Sequence, residues 1–222
     1  MAKTAARLIL LGGIIAANAF AVWGCASEDS LNAPSQAAQS TPPISDIQSR
    51  HFGVLRRPQV PADALTRVAR ATASNPPVSI ARPKLDLARR AATRGPDKAT
   101  WIIPAADNQI CEVTQIHDGA GGSCMPLEMA EAGKHVSTTS VQTTPGGPET
   151  IIVSGLVPDG TTEVKITTST GKALIVPVRD NVYLLQLDDG STPKVASFET
   201  PDATVETQVP FLPADNAPRA GG

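Results

Sequence analysis

The feature that most constrains the fold is a series of short β-branched runs in the second half of the chain. The runs HVSTTSVQTT, ETIIVSGLV, TEVKITTST, KALIVPVRD and NVYLLQLDD follow one another between residues 135 and 189, and the turn-forming stretches PGGP, PDGTT, STGK and RDN separate them. Short β-rich runs at even spacing, punctuated by Gly, Pro, Asn and Asp, are typical of antiparallel sheets. The sequence therefore predicts an α+β chain with a small antiparallel β domain, either a sandwich or a partial barrel.

We place this compact domain at residues 99–200, from just before Trp101 to just after Phe198. Its first part contains QICEVTQI, in which apolar and polar residues alternate, so that Ile110 and Glu112 are expected on one face and Cys111 and Val113 on the other. About 100 residues support one hydrophobic core, although a small one.

Short helices are predicted before the domain, in an arm covering residues 44–98. Ser45 or Asp46 can cap a first helix that ends at Pro58, Pro61 suits the start of a second, and Pro83 can open a third. These pieces are weakly apolar, and we expect them to wrap the β domain. Residues 201–222 are rich in Pro and Ala and are predicted to form a loose tail.

Charge divides the chain into a basic and an acidic half. Residues 26–100 hold eleven Lys and Arg against six Asp and Glu, whereas residues 101–222 hold six against fifteen. The basic arm can contact an anionic lipid or wall polymer, or it can fold back on its own acidic domain. We favour the second interpretation because the arginines are spread out. We do not expect nucleic acid as a partner, since single-strand binding uses stacking aromatic side chains and the arm has only Phe52.

The N-terminus is typical of an export signal or a membrane anchor, predicted at residues 1–25. Lys3 and Arg7 precede seventeen uncharged residues, 8–24, a length between that of a signal peptide and that of a spanning helix. The small-x-small stretches ANA and AFA fit ordinary signal cleavage, and an uncleaved anchor is a second outcome. After it, residues 26–43 are predicted to be a disordered linker because they are rich in Ala, Ser, Gln and Pro.

A third outcome follows from the four residues VWGC at 22–25, which resemble the bacterial lipobox, although Trp23 stands where that motif has a small residue. The resemblance implies that Cys25 receives diacylglycerol, and two acyl chains are enough to hold a protein on a membrane. We expect lipidation at Cys25, with attachment through the N-terminal helix as the alternative.

The other two cysteines are predicted to form a disulfide. The chain has three cysteines, an odd number, and an odd count in an exported chain leaves one cysteine to be explained. If Cys25 carries lipid, then Cys111 and Cys124 remain as a pair, separated by twelve residues that include three glycines. A disulfide across such a loop contributes about 3 kcal/mol.

No catalytic residue, metal ligand or cofactor is predicted. A triad of Ser123 or Cys124 with His117 and Asp118 lacks the nucleophile-elbow motif, and a zinc site built from the set Cys111, His117, Cys124 and His135 lacks the close ligand pairs of structural zinc sites. Asp159 and the run 188–190 are interpreted as turn residues. A pocket that combined His117, Asp118 and His135 would favour an exported enzyme such as a hydrolase.

Longer stretches of the chain resemble exported actinobacterial proteins that are uncharacterised. The similarity rests on HFGVLRRPQVPADAL, on WIIPA before a cysteine, and on SGLVPDGTTEV and VPVRDNVY, which together span most of residues 51–183. It implies export and no activity.

The combined expectation is a non-enzymatic cell-envelope protein on the outer face of the cytoplasmic membrane. Its β domain would present an interaction surface, and the candidate partner, besides the membrane, is another envelope protein. A secreted stabiliser or inhibitor of such a protein is a further alternative, for which the sign would be an exposed apolar patch or a free sheet edge.

Overall fold

The computed structural model describes residues 44–91, 98–142 and 149–211. The predicted signal or anchor segment with Cys25, the predicted linker at 26–43 and the last part of the predicted tail lie outside these residues. Within the described part of the chain, no helix has both the length and the apolar character needed to cross a membrane.

The described residues form three antiparallel sheets and several short helices. The N-terminal sheet has the order β1 (Arg89–Ala91), β2 (Lys98–Pro104), β3 (Gln109–Ile116) and β4 (Gly119–Pro126). The central sheet has the order β5 (Val136–Gln142), β6 (Glu149–Leu156) and β9 (Val182–Leu187). The C-terminal sheet has the order β11 (Thr204–Gln208), β10 (Pro193–Glu199), β7 (Glu163–Thr168) and β8 (Ala173–Pro177). The α-helices are α1 (Asp46–Arg50), α2 (Gly53–Arg56), α3 (Arg67–Ser74) and α4 (Leu127–Glu131), and single 3-10 turns cover Pro61–Asp63, Val78–Ala81 and Leu85–Leu87.

The central and C-terminal sheets share one apolar core, as a β-sandwich does. In β7, Val164 and Ile166 are buried whereas Glu163 and Lys165 are exposed, and this alternation gives the strand one inner and one outer face. Val153 of the central sheet belongs to the same core. The predicted fold class, a mainly antiparallel β domain with a few short helices, is confirmed.

The N-terminal sheet is covered on both faces. Cys111 and Val113 pack with Ala69 and Ala73 of α3, whereas Ile110 on the opposite face packs with residues that include Phe52 of the arm and Leu156 and Val182 of the central sheet. The predicted alternation in β3 is therefore correct, and each face of the strand has an apolar partner.

The helices of the arm are shorter than the sequence predicted. Ser45 caps α1 as expected, because its Oγ accepts a hydrogen bond from the N–H of Gln48. The helix ends at Arg50, with His51 as its C-cap, and does not continue to Pro58, since Phe52 adopts an extended conformation and its side chain is fully buried. The third predicted helix, from Pro83, is a single 3-10 turn followed by β1, because Arg89–Ala91 pair with Thr100–Ile102 of β2.

The first part of the predicted tail is also ordered into a strand. Residues Thr204–Gln208 form β11 along β10, with Val205 opposite Phe198, and Val209 enters the sandwich core. The alternating sequence TVETQV allows this because it presents apolar residues to one side only. The compact region therefore extends beyond residue 200.

The predicted turn residues Asp159 and Asn181 attach the arm to the sandwich. The Oδ1 atom of Asp159 accepts from the N–H of Gly53 at 2.7 Å, and its Oδ2 atom accepts from Arg56 at 2.6 Å. Asn181 Oδ1 accepts from the N–H of Val54 at 3.1 Å. Helix α2 has no side-chain cap from its own N-cap residue, so these two distant side chains satisfy its first N–H groups.

The arm also forms ion pairs with the later part of the chain. Arg56 pairs with Asp159, and Arg82 pairs with Asp107 at 2.6 Å. These contacts support the interpretation that the basic arm folds back on the acidic domain. Because the partners are exposed, each pair adds little stability by itself.

Candidate functional site

The paired cysteines are joined as predicted. Strands β3 and β4 run antiparallel with Cys111 directly opposite Cys124, and the two residues form a disulfide with their Cα atoms 4.0 Å apart. The disulfide cross-links β3 to β4 on the face of the hairpin that packs against α3. Neither sulfur is then available as a thiolate nucleophile or as a zinc ligand.

The histidines considered for catalysis do not meet. His117 and Asp118 form the exposed turn between β3 and β4, where His117 has a φ of 51°. His135 lies just before β5, where its Nε2 atom is 3.1 Å from Ser123 Oγ and 3.5 Å from Glu112 Oε2. The structure therefore does not assemble the triad of Ser123 with His117 and Asp118, which the sequence did not favour.

The cluster of Glu112, Ser123 and His135 was not predicted as a unit. The register of β3 and β4 places Glu112 opposite Ser123. Glu112 is buried, whereas the His135 side chain is 12 % exposed. The Ser123 hydroxyl and the Glu112 carboxylate both approach the same nitrogen of the His135 ring, Nε2. A catalytic relay needs the acid on the other nitrogen, Nδ1, so that the base is oriented while Nε2 faces the nucleophile. The observed arrangement is a buried polar contact without that relay.

A wider set of polar groups surrounds Glu112. Thr114 Oγ1 donates to Glu112 Oε1 at 3.1 Å and lies 3.0 Å from Thr100 Oγ1. Glu112 Oε2 has no hydrogen bond among the described residues, so His135 is the group that faces it. Burial raises the pKa of the Tyr183 hydroxyl, and the negative charge of Glu112 raises it further. These contacts compensate part of the cost of burying a carboxylate between two sheets.

A pocket of about 430 Å³ opens on the α3 side of the N-terminal sheet. Ala64 and Thr66, which precede α3, form one wall, and His117 and Asp118 form another. Its remaining lining residues are Arg90, Lys98, Ala99, Trp101 and Gln115. The pocket thus brings Arg90 of β1 and Trp101 of β2 close to His117 and Asp118 of the β3–β4 turn.

The outer face of the C-terminal sheet forms a second surface feature, a shallow groove of about 450 Å³. It carries Glu163 and Lys165 of β7 and Ile175 of β8, and Glu199 and Glu206 continue it on β10 and β11. Ile175 is 57 % exposed. Strand β8 stands at the end of the sheet, hydrogen-bonded to β7 on one side.

No group of three or more His, Cys, Asp or Glu side chains that could hold a metal ion occurs within 44–91, 98–142 and 149–211. Comparison with family models, with curated proteins and with solved structures found no match. The sequence had singled out His117 and Asp118, which lie in the pocket. Arg90 and Trp101 had been considered only as part of the basic arm and as a core residue.

Proposed function

We propose that the protein is exported, is held on the outer face of the cytoplasmic membrane through Cys25, and presents its β domain to another envelope protein. The observation that supports this interaction surface is the edge of β8, which pairs with β7 alone among the described strands and carries the exposed Ile175. The unpaired backbone groups of an edge strand can hydrogen-bond a strand from a second protein.

The sequence of β8 supports a binding role for this edge. Soluble proteins usually protect edge strands with charged side chains, proline or bulges. Strand β8 is ALIVP, with no charge inside the strand and a proline only at its end. Ala173 and Ile175 are both exposed. An apolar edge of this kind is suited to strand addition, with Ile175 as the side chain that a partner would cover.

The neighbouring groove gives this surface a polar border. Glu163 and Lys165 are exposed on β7 next to Ile175, with Lys165 directly opposite it in the register. Interfaces commonly combine a small apolar centre with a polar rim. The same edge favours the more specific role of a stabiliser or inhibitor of the partner.

The anchor is tested by the intact mass of the protein from its native membrane fraction. We expect a chain that begins at Cys25 and carries a diacylglyceryl group, because two acyl chains hold a protein stably on a bilayer. The Cys25→Ser variant should lack the lipid mass. A mass that starts at Met1 with an unmodified thiol would contradict lipidation and indicate an uncleaved helix anchor.

The binding edge is tested with a photo-crosslinking amino acid at position 173, in cells that make the protein natively. We expect one discrete adduct with an envelope protein, and we expect Ile175→Lys to abolish it, because a charge on the edge disfavours strand addition. The control places the same crosslinker at position 80, where Ile80 is 76 % exposed in the arm. Absence of an adduct at 173, or the same adduct at both positions, would refute the proposed surface.

A further inference from the structure

We propose that the pocket between the start of α3 and the β3–β4 turn binds a phosphate group, with the guanidinium of Arg90 as its main contact. The pocket lies on the N-terminal sheet, whereas the proposed docking edge lies on the C-terminal sheet. The phosphate can be free or can belong to a larger molecule, and the chemistry of recognition is the same.

The guanidinium of Arg90 is the first feature that supports phosphate binding in this pocket. The backbone N–H of Arg90 donates to Asp63 at 2.8 Å, but its guanidinium makes no hydrogen bond or ion pair with any residue in the described ranges. By contrast, the neighbouring Arg57 and Arg89 use their guanidinium groups in hydrogen bonds. The Cζ atom of Arg90 lies over the Trp101 ring, 5.9 Å from its centre. This cation–π contact holds the side chain near the pocket and leaves its N–H donors for an oxyanion, which arginine binds in bidentate fashion.

The N-terminus of α3 is the second feature that supports phosphate binding. Thr66 caps this eight-residue helix, and its Oγ1 atom accepts from the N–H of Ala69. The N–H groups of the first two helical residues have no partner within the helix. A helix N-terminus carries partial positive charge and is a common location for phosphate. Since Thr66 and Ala64 line the pocket, this charge adds to that of Arg90.

The remaining walls fit the same ligand. Lys98, His117 and one acid, Asp118, also line the pocket. The Lys98 ammonium donates to Gln186 of the central sheet, so Arg90 supplies the positive side-chain charge of the site. Trp101 is 1 % exposed, and its Nε1 atom has no hydrogen-bond partner among the described residues. A volume of about 430 Å³ exceeds what one phosphate fills, which leaves space for the molecule that carries it.

The test uses the full protein in detergent. Trp101 is the remaining tryptophan when the chain begins at Cys25, and Trp23→Phe gives the same condition when the segment before Cys25 is retained. Inorganic phosphate and glycerol 3-phosphate are titrated separately, each against sodium chloride at matched ionic strength, while Trp101 fluorescence is recorded. We expect a saturable change with phosphate. A tighter constant for glycerol 3-phosphate would indicate that the phosphate belongs to a larger molecule, and equal or weaker binding would indicate the free ion.

Two variants at the pocket should shift the affinity in opposite directions. Arg90→Gln should weaken phosphate binding by about tenfold, the effect of losing a charge-assisted contact. Asp118→Asn should strengthen it by roughly threefold, because one repelling charge is removed. Thermal unfolding of each variant checks that the fold is retained.

The matched control is Arg82→Gln, which removes an equally charged arm residue paired with Asp107 outside the pocket. It should leave the affinity within about twofold of the parent, the size of a general surface-charge effect. A signal that chloride reproduces, or equal losses in Arg82→Gln and Arg90→Gln, would overturn the proposal. Ile175→Lys should leave phosphate binding unchanged, so failure of the docking edge and failure of this site are distinguishable.

Discussion

Replacing Asp63 by asparagine should lower the free energy of unfolding by about 3 to 5 kcal/mol, the cost of breaking a buried ion pair from one side. The Asp63 side chain is 1 % exposed. Its two oxygens accept from Arg57 at 2.8 and 2.6 Å, and they also accept from the N–H groups of Val60 and Arg90, each at 2.8 Å. Asparagine has one acceptor oxygen, and its NH2 group would face donors. The loss is measured by urea unfolding.

The matched control is Asp86→Asn in the same arm. Asp86 is 73 % exposed and lies 3.8 Å from Arg70, and exposed pairs contribute at most about 1 kcal/mol. Equal losses for the two variants would contradict the stabilising role of the buried Asp63 carboxylate.

The same carboxylate predicts a dependence of stability on pH. Burial alone would raise the pKa of Asp63, but the hydrogen bonds from Arg57, Val60 and Arg90 outweigh burial and hold this pKa below its usual value. The pKa is therefore lower in the folded than in the unfolded protein. Its contribution to stability is complete above the unfolded pKa of about 3.9, and it decreases as the pH falls toward the folded value. Asp63→Asn should have a shallower acid dependence than the parent protein.

Removing the disulfide with the double substitution Cys111→Ala and Cys124→Ala should cost about 3 kcal/mol, because the unfolded chain loses a cross-link over 13 residues. For a domain of this size, the expected decrease in Tm is roughly 6 to 12 °C. Cys111 is fully buried against Ala69 and Ala73 of α3, so the truncation also loosens packing there. The measurement is thermal unfolding of the double variant and the parent under oxidising conditions.

Cys25→Ser is the control for the disulfide, since it changes the third cysteine without touching the pair, and it should leave the Tm unchanged. A reductant should lower the Tm of the parent and of Cys25→Ser by similar amounts and should not affect the double variant. If the parent unfolds identically with and without reductant, the bond does not contribute as argued.

The contacts among Glu112, Ser123 and His135 could not be predicted from the sequence. Alternation in β3 had already placed Glu112 on the same face as Ile110, and an acid on an apolar face was the available signal. What it would contact depended on the register of β4 and on the position of His135, twenty-three residues farther along the chain. Neither follows from local patterns.

The candidate phosphate pocket likewise depends on contacts between elements that are distant in the sequence. His117 and Asp118 could be recognised as notable residues from the sequence, but their neighbours come from three separate elements, the start of α3, β1 and β2. Arg90 lies over Trp101 because β1 pairs with β2 in the register Arg90 to Trp101. The sequence had suggested a helix for this part of the arm.

The sequence by itself determined the antiparallel β class, the alternating faces of β3 and the pairing of Cys111 with Cys124, and it limited the N-cap of α1 to Ser45 or Asp46. These depend on side-chain periodicity, on turn residues and on neighbours close along the chain. Only the tertiary structure decided that Arg89–Ala91 and Thr204–Gln208 are strands, that α1 breaks before Phe52, and that Asp159 and Asn181 cap a helix of the arm. A short segment becomes a strand when a partner edge satisfies its hydrogen bonds, and a helix breaks when burying one aromatic ring gains more free energy than another turn.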